Sequence, residues 1–541
     1  MKRRTFLKSA LSSAAAAPFL LDGMPVRATS PLKFLAQLPQ AAIDDRILII
    51  CQLFGGNDGL NTVVPADDST YYQIRPAIAV PKDQCWTGLG NIYLTPALNG
   101  GSPGATKGGI AKMLEQGNVA IIQGIGYDKP NLSHFRSTDI WLSGFNDSNP
   151  DHRLDTGWVG RFLEKKYPNF PASLPDDPLA IQLGGFSLAL TSSKGRMGIE
   201  VINPAGQKGV GTMNDTLDTA SAGTAYEAEY AFVADVAARS NKYAQRVKDA
   251  YAAGKTKLKG TYGQDSFAQQ LASVAALIAG GLQSKVYVVS LGGFDTHVSQ
   301  TLAFSPTVVG AHPTLLQYFS DAVATFVNDM IGLEMGDRVV GLTVSEFGRR
   351  PYENGSYGTD HGTSNVQFVF GTQVNSGIFG KTPDLKNLDE NGDLVYDIDY
   401  REVYAEILTD WFGVDLADAR DVLKNPFPGE DDSDQIYPLD VIKAQQNSAA
   451  RDYTIETLSI RANYPNPFSS GTTLEVAMPA AGNLSIEISS LSGGEIMRVM
   501  SRDLGSGVHQ IPLSLDLSSG NYLCIARAGG AMASKMIQCV R

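Results

Sequence analysis

The sequence predicts an α/β domain on a mostly parallel sheet, followed by a small C-terminal β-sandwich. Three observations predict it. From Arg46 to about Phe412, short apolar runs alternate with amphipathic helical stretches. The Asp, His and Ser residues able to do chemistry fall just after those runs, where parallel strands deliver their loops. Beyond a Pro- and Asp-rich stretch, Pro426 to Ser433, the pattern changes to short alternating strands separated by Gly/Ser turns.

Ile47 to Phe54 is a near-continuous apolar run, as a strand covered on both faces requires. Val119–Gln123, Val286–Leu291 and Val339–Val344 read the same way. Helical periodicity covers Tyr226–Ala253, Ser266–Gln283, Pro313–Leu333 and Tyr400–Phe412, the last with Val403, Ile407, Leu408 and Trp411 on one stripe. In the tail, Thr472–Met478, Leu484–Ile488, Val508–Leu513 and Asn521–Ala526 alternate as sandwich strands do. The chain divides into residues 1–28, a main domain over 29–440, a linker over 441–456 and the sandwich over 457–541.

Met1-Lys-Arg-Arg-Thr-Phe-Leu-Lys8, then an Ala/Ser/Leu stretch and a small-residue exit near Ala28, resembles a twin-arginine export signal. At the other end, Tyr464-Pro-Asn-Pro-Phe468, Gly520-Asn-Tyr-Leu523 and the closing Lys535–Val540 resemble the C-terminal sorting domain of the type IX secretion system. Together they imply the twin-arginine and type IX machineries as partners, with the protein in the periplasm in transit, then at the cell surface or outside it. A net charge of −12 with no basic run past the signal excludes nucleic acid. No apolar run past the signal is long enough to cross a bilayer. The 4 cysteines are few for disulfide scaffolding, and none clusters as a thiolate metal site. Cys51 reads as a buried thiol, and Cys524 and Cys539 both sit in the tail, where the sequence leaves open whether they pair.

The first strand leads into Gly55-Gly-Asn-Asp58-Gly-Leu-Asn61, and the second into Asn131-Leu-Ser133-His134. The third leads into Gly292-Gly-Phe-Asp295-Thr-His297, and the fourth into Ser345-Glu346-Phe-Gly-Arg349 through Gly358-Thr-Asp360-His361-Gly362. Divalent cations take carboxylate oxygens and imidazole nitrogens from separate strand ends, and glycines let those backbones approach. Of 6 histidines in the chain, His134, His297 and His361 lie in these segments. Asp389-Glu-Asn391-Gly-Asp393 has the alternating oxygens of a calcium loop but not its spacing, and reads as a turn.

These four motifs, in this order, resemble the domain-of-unknown-function 1501 family over roughly residues 45–415. That family is grouped with the alkaline-phosphatase and sulfatase superfamily, which implies a three-layer domain hydrolysing phosphate or sulfate esters at a metal centre. Carried over by position, Asp58, Asp295, His297, Glu346, Asp360 and His361 are the metal ligands, for zinc, manganese, magnesium or calcium. Ser133 matches the nucleophile, and Asn61, His134 and Arg349 are the candidate substrate contacts. His361 matches either of two superfamily positions. As the late histidine, it leaves Glu346 in place of an aspartate and Phe347 in place of a histidine; paired early with Asp360, it leaves only His509 of the tail. Either alignment lacks one ligand of a two-metal centre. Ser133-His-Phe-Arg136 lacks the modifiable Cys or Ser with Pro and Arg that a classical-type sulfatase uses. The expected function is a metal-dependent hydrolase of small anionic or glycan-linked esters; the alternative is a non-catalytic surface binding protein on a degenerate hydrolase fold.

Overall fold

In the computed structural model, the described residues are 19–21, 24–26, 45–88, 92–100, 108–171, 173–184, 187–207, 242–302, 307–424, 436, 438–443, 458–464, 468–478, 480–490, 496–505 and 507–540. The chain forms two compact units, residues 37–446 and residues 1–36 with 447–541. The 1–28 export signal and the 441–456 linker fall mostly outside the described residues, as does most of the helix expected before residue 242.

The larger unit is a mixed α/β fold whose central sheet is mainly parallel. Its strands are β1 (Ile47–Phe54), β2 (Val119–Gly126), β3 (Ala180–Gln182), β4 (Gly198–Glu200), β5 (Val286–Gly292), β6 (Val339–Val344), β7 (Asn365–Phe370), β8 (Gly377–Phe379) and β9 (Ile398–Asp399). The order is β8-β2-β7-β6-β1-β5-β3-β4, with β9 also on β2, and only β7 runs antiparallel to its neighbours.

Strand β1 shows why its run is apolar throughout. Ile47, Ile49, Cys51 and Leu53 enter one core, with Phe267, Leu271, Phe319 and Phe326. Leu48 and Ile50 enter the other, with Trp158, Tyr400, Tyr404 and Trp411. Period-two alternation thus feeds both faces of the sheet. The covering helices are α1 (His134–Ser143), α2 (Trp158–Lys166), α3 (Ser266–Ala279), α4 (Ala311–Gly332) and α5 (Tyr400–Glu406). α3 is capped by Asp265, and α5 opens with an Asp399/Glu402 capping box. The expected Tyr400–Phe412 helix is α only to Glu406; Ile407–Trp411 continues as a π-helix that keeps Ile407, Leu408 and Trp411 buried.

The tail is built from β10 (Ser459–Tyr464), β11 (Gly471–Met478), β12 (Gly482–Ser490), β13 (Ile496–Leu504), β14 (Gly507–Ser514), β15 (Gly520–Ala528) and β16 (Ala531–Cys539). Two antiparallel sheets, β10-β11-β14 and β13-β12-β15-β16, share one apolar core from alternate residues such as Leu474, Val476, Met478 and Leu484, Ile486, Ile488. Cys524 and Cys539 are both buried and free. Register places Cys524 opposite Lys535 and Cys539 opposite Gly520. Four residues of stagger along a strand is about 13 Å, beyond disulfide reach.

One glycine ties the sheet to its loops. Gly55 has φ +120°, and a Cβ there would lie 2.2 Å from the backbone nitrogen of Asp295. Gly55→Ala should therefore lower stability by about 1–3 kcal/mol, read as a shift in urea midpoint, because backbone rather than a flexible side chain has to move. An unchanged midpoint would show that the two loops are not this close.

Candidate metal centre

Four loops converge at one edge of the sheet. β1, β5 and β6 are parallel, with Phe54 opposite Gly292 and Gln52 opposite Val344, so the loops leaving them start side by side. β7 is antiparallel to β2 with Asn365 opposite Ile125, which brings the end of β2 to the same edge. A two-residue ribbon pairs Gly348 with Gly362 and Arg349 with His361, folding the last segment back over the others.

At this edge, His134 from the start of α1, His297 and Asp295 from the loop after β5, and His361 from the ribbon meet. His361 Nε2 lies 3.1 Å from Asp295 Oδ1, His297 Nε2 lies 3.2 Å from the same oxygen, and His134 Nε2 lies 3.4 Å from Oδ2. The two Nε2 atoms of His297 and His361 are 2.9 Å apart. His134, Asp295 and His361 each offer one ligand atom, all within 4.8 Å of one another. They are the one group of three or more possible metal ligands among the described residues.

The opposite ring nitrogens are all engaged by acceptors. His134 Nδ1 is 2.7 Å from Glu346 Oε1, His297 Nδ1 is 3.0 Å from Asp360 Oδ1, and His361 Nδ1 is 2.9 Å from the Leu132 carbonyl oxygen. With the ring proton at Nδ1, donated to that acceptor, each Nε2 offers a lone pair to the cluster; with the proton at Nε2, His361 instead donates to Asp295. In the first of these tautomers three lone pairs and a carboxylate face one another, a donor set that a divalent cation takes. Two ligands at about 2.1 Å from one ion stand about 3.0–3.4 Å apart at octahedral to tetrahedral angles, and the three imidazole-to-Asp295 distances lie in that range. Imidazoles anchored from behind by carboxylates are also how metal-binding histidines are held.

The electrostatics follow from the same contacts. The Glu346 hydrogen bond pushes the His134 pKa up, whereas burial pushes that of His361 down. Burial opposes ionisation of Asp295, but hydrogen bonds from Arg349 and His361 outweigh it and bring the carboxyl down to about 2. A hydrogen bond from Asn354, with a second from His297, holds Asp360 below the usual carboxylate range.

The site residues expected from sequence divide between this cluster and its support. Asp295, His297 and His361 converge as metal-ligand types; Glu346 and Asp360 instead stand behind the rings. His134, assigned to substrate, faces the cluster as the third imidazole. Asp58 lies elsewhere: it is fully buried, and its Oδ2 accepts from Arg75 at 2.6 Å and Gln300 at 2.5 Å. Asn61 is turned inward too, bonding the Ile78 carbonyl, Tyr71 and Arg75. Arg349 is buried and donates to the carbonyls of Gly55, Gly56, Phe294 and Thr359 and to Asp295, so it ties loops together. Ser133 is exposed at the N-cap of α1, and its hydroxyl makes no capping bond. The 389–393 segment is a turn in which Asp389 Oδ1 accepts from the nitrogens of Asn391 and Asp393.

Gln300 was not singled out from sequence. Its Nε2 donates to Asp58, its Oε1 accepts from Thr296 and Thr359, and its backbone N–H bonds the Tyr357 carbonyl. One amide thus links the loops carrying Asp58, His297 and Asp360. The only sequence signal was a polar residue three positions beyond His297.

The family described as "Protein of unknown function (DUF1501)" matches residues 132–424. No curated protein matches. Among solved structures, the chain is similar to dimeric latent PorU from Porphyromonas gingivalis at 18% identity, over 15% of this chain and only 9% of that one, with a TM-score of 0.12. It is similar to the lipoteichoic acid synthase LtaP from Listeria monocytogenes at 10% identity, over 72% of this chain and 80% of that one, with a TM-score of 0.29. A Bacteroides thetaiotaomicron protein of glycosaminoglycan metabolism is similar at 8% identity, over 91% and 90%, with a TM-score of 0.31. Likeness at these scores says nothing about activity.

Two outcomes test the support beneath the centre. Arg75→Met leaves Asp58 charged and buried without its cation, and should cost about 3–5 kcal/mol in urea unfolding; a loss below 1 kcal/mol would show the pair is dispensable. Burial pushes the His312 pKa from 6.5 down to about 4, against the pull of Asp58. The unfolded chain then binds the extra proton, so stability is full above pH 6.5 and falls as pH drops toward 4. His312→Gln should flatten that part of the pH–stability curve, and an unchanged slope would clear His312 of the effect.

Proposed function

The chain belongs to the DUF1501 family, and on that footing we propose that it is a metal-dependent hydrolase of phosphate or related esters on a three-layer, alkaline-phosphatase-like domain. The observation that carries the reading is the convergence of the Nε2 atoms of His134, His297 and His361 on Asp295, each ring anchored at Nδ1. His134, His297, His361 and Asp295 would hold one divalent cation. When bound, that cation supplies positive charge against the anionic oxygens of an ester. Glu346, Asp360 and the Leu132 carbonyl fix the ring orientations, and Arg349 keeps Asp295 ionised and in place.

Ser133 is the nucleophile in this reading. It directly precedes His134, follows Leu132 whose carbonyl holds His361, and has a free hydroxyl at the start of a ten-residue helix. Attack of its Oγ on phosphorus expels the alcohol, which takes up the proton the hydroxyl loses, and water then cleaves the seryl ester. Backbone N–H groups at the start of α1 favour the negative charge. In this reading the chemistry is done outside the cytoplasm, at the cell surface or beyond it, after passage by the twin-arginine and type IX routes; the resemblances of Met1–Lys8 and of the 464–540 tail support that.

A second reading, a surface binding protein on a degenerate hydrolase fold, has its own support. Asp58 is committed to Arg75 and Arg349 to backbone carbonyls, so one cation rather than two is the limit of this centre. Elemental analysis of the purified chain decides first. The hydrolase reading expects about one equivalent of zinc, manganese, magnesium or calcium, lost in His361→Ala. It also expects turnover of aryl phosphates or sulfates that a chelator abolishes and that Ser133→Ala lowers by about three orders of magnitude. Bound metal without turnover across both ester classes favours the binding protein, and no metal after incubation with excess cations sinks the hydrolase reading and leaves the binding one.

A further inference from the structure

Single exposed apolar side chains are ordinary on a protein surface, but their gathering at one place marks a binding surface. Nearly half of the large apolar side chains exposed among the described residues of the 37–446 unit sit in the segments that build the centre. Phe135, 88% exposed, follows His134, and Val298, 64% exposed, follows His297. Leu132, also exposed, is the residue whose carbonyl accepts from His361. Tyr357 is exposed and bonds Gln300 through its backbone, while Phe54 ends β1 and accepts from the Phe294 N–H. These residues come from four loops far apart in sequence, and what those loops share is the histidine–aspartate cluster.

A wholly apolar occupant would strip water from Asp295 and Asp360 without replacing their partners. A wholly polar one would leave the rim in water. An occupant with a charged end and an apolar body matches both parts. Resting on the hydrolase reading above, we propose that the ester handled here is that of an apolar alcohol: its phosphate or sulfate meets the three imidazoles and its aryl or alkyl group lies on Phe135, Val298 and Leu132. These side chains are then specificity-determining, acting on the leaving group rather than on the reacting atoms.

The test is calorimetric titration of the full-length, zinc-loaded chain with methylphosphonate and phenylphosphonate, whose carbon–phosphorus bonds resist hydrolysis. Phenylphosphonate should bind about tenfold more tightly, the gain expected from covering part of one ring. In Phe135→Ser/Val298→Ser, whose exposed positions leave the core untouched, that ratio should fall toward one while the thermal midpoint holds. Equal affinities in the natural chain, or a preference that survives both substitutions, overturns the inference and leaves the hydrolase reading standing. Failure of both ligands to bind overturns the reading and the inference together.

Discussion

The buried guanidinium of Arg349 is the contact on which the centre depends. A charged group removed from water is costly unless its donors are satisfied, and here they meet four backbone carbonyls and one carboxylate. Those acceptors belong to the loop after β1, the loop after β5 and the segment before His361. Their carbonyl dipoles point inward at one cation, so none of the three loops can drift without unpairing it. Asp295 is part of the same set, which explains why its carboxyl stays ionised beside three imidazoles. A lysine would not substitute, because a single ammonium lacks the planar spread of donors.

Beneath this lies a second polar layer that works the same way. Asp58 and Arg75 form a buried ion pair, Gln300 bridges Asp58 to Thr296 and Thr359, and His312 reaches Asn57. A buried charge without partners is costly, so the loops are held by the contacts that pair Asp58 Oδ2 with Arg75 and Gln300. The loop-bearing edge of the sheet is therefore held by polar contacts between loops, whereas the sheet is held by apolar packing on its two faces. This division lets the loops carry exposed groups such as Phe135 and Ser133 without loosening the core.

The core strands were legible because their signal is local. A near-continuous apolar run describes β1 whichever strands lie beside it, and the same holds for β2, β5 and β6. The alternating tail strands were legible for a related reason. The π-turn at Ile407–Trp411 was not, since its apolar stripe is compatible with either helix. The segments that meet at the sheet edge were legible, because each follows an apolar run, and they bring Asp295, His297 and His361 together. The sequence carries no record of the contacts themselves: Glu346 meets the His134 Nδ1 and Asp360 the His297 Nδ1.

Residue type and order by themselves determined the mixed α/β class, the family resemblance and the strand-end loops where chemistry would sit. Only the tertiary structure decided which way each side chain turns. Asp58 points inward because Arg75 and Gln300 meet it there, and His134 joins the centre because α1 begins beside β6's loop and presents its ring to Glu346. Cys524 and Cys539 stay apart because the β15–β16 register offsets them. The physical reason is common to all three: a polar side chain takes the orientation in which its partner is found, and these partners lie on neighbouring strands or loops, where spacing along the chain carries no record of them.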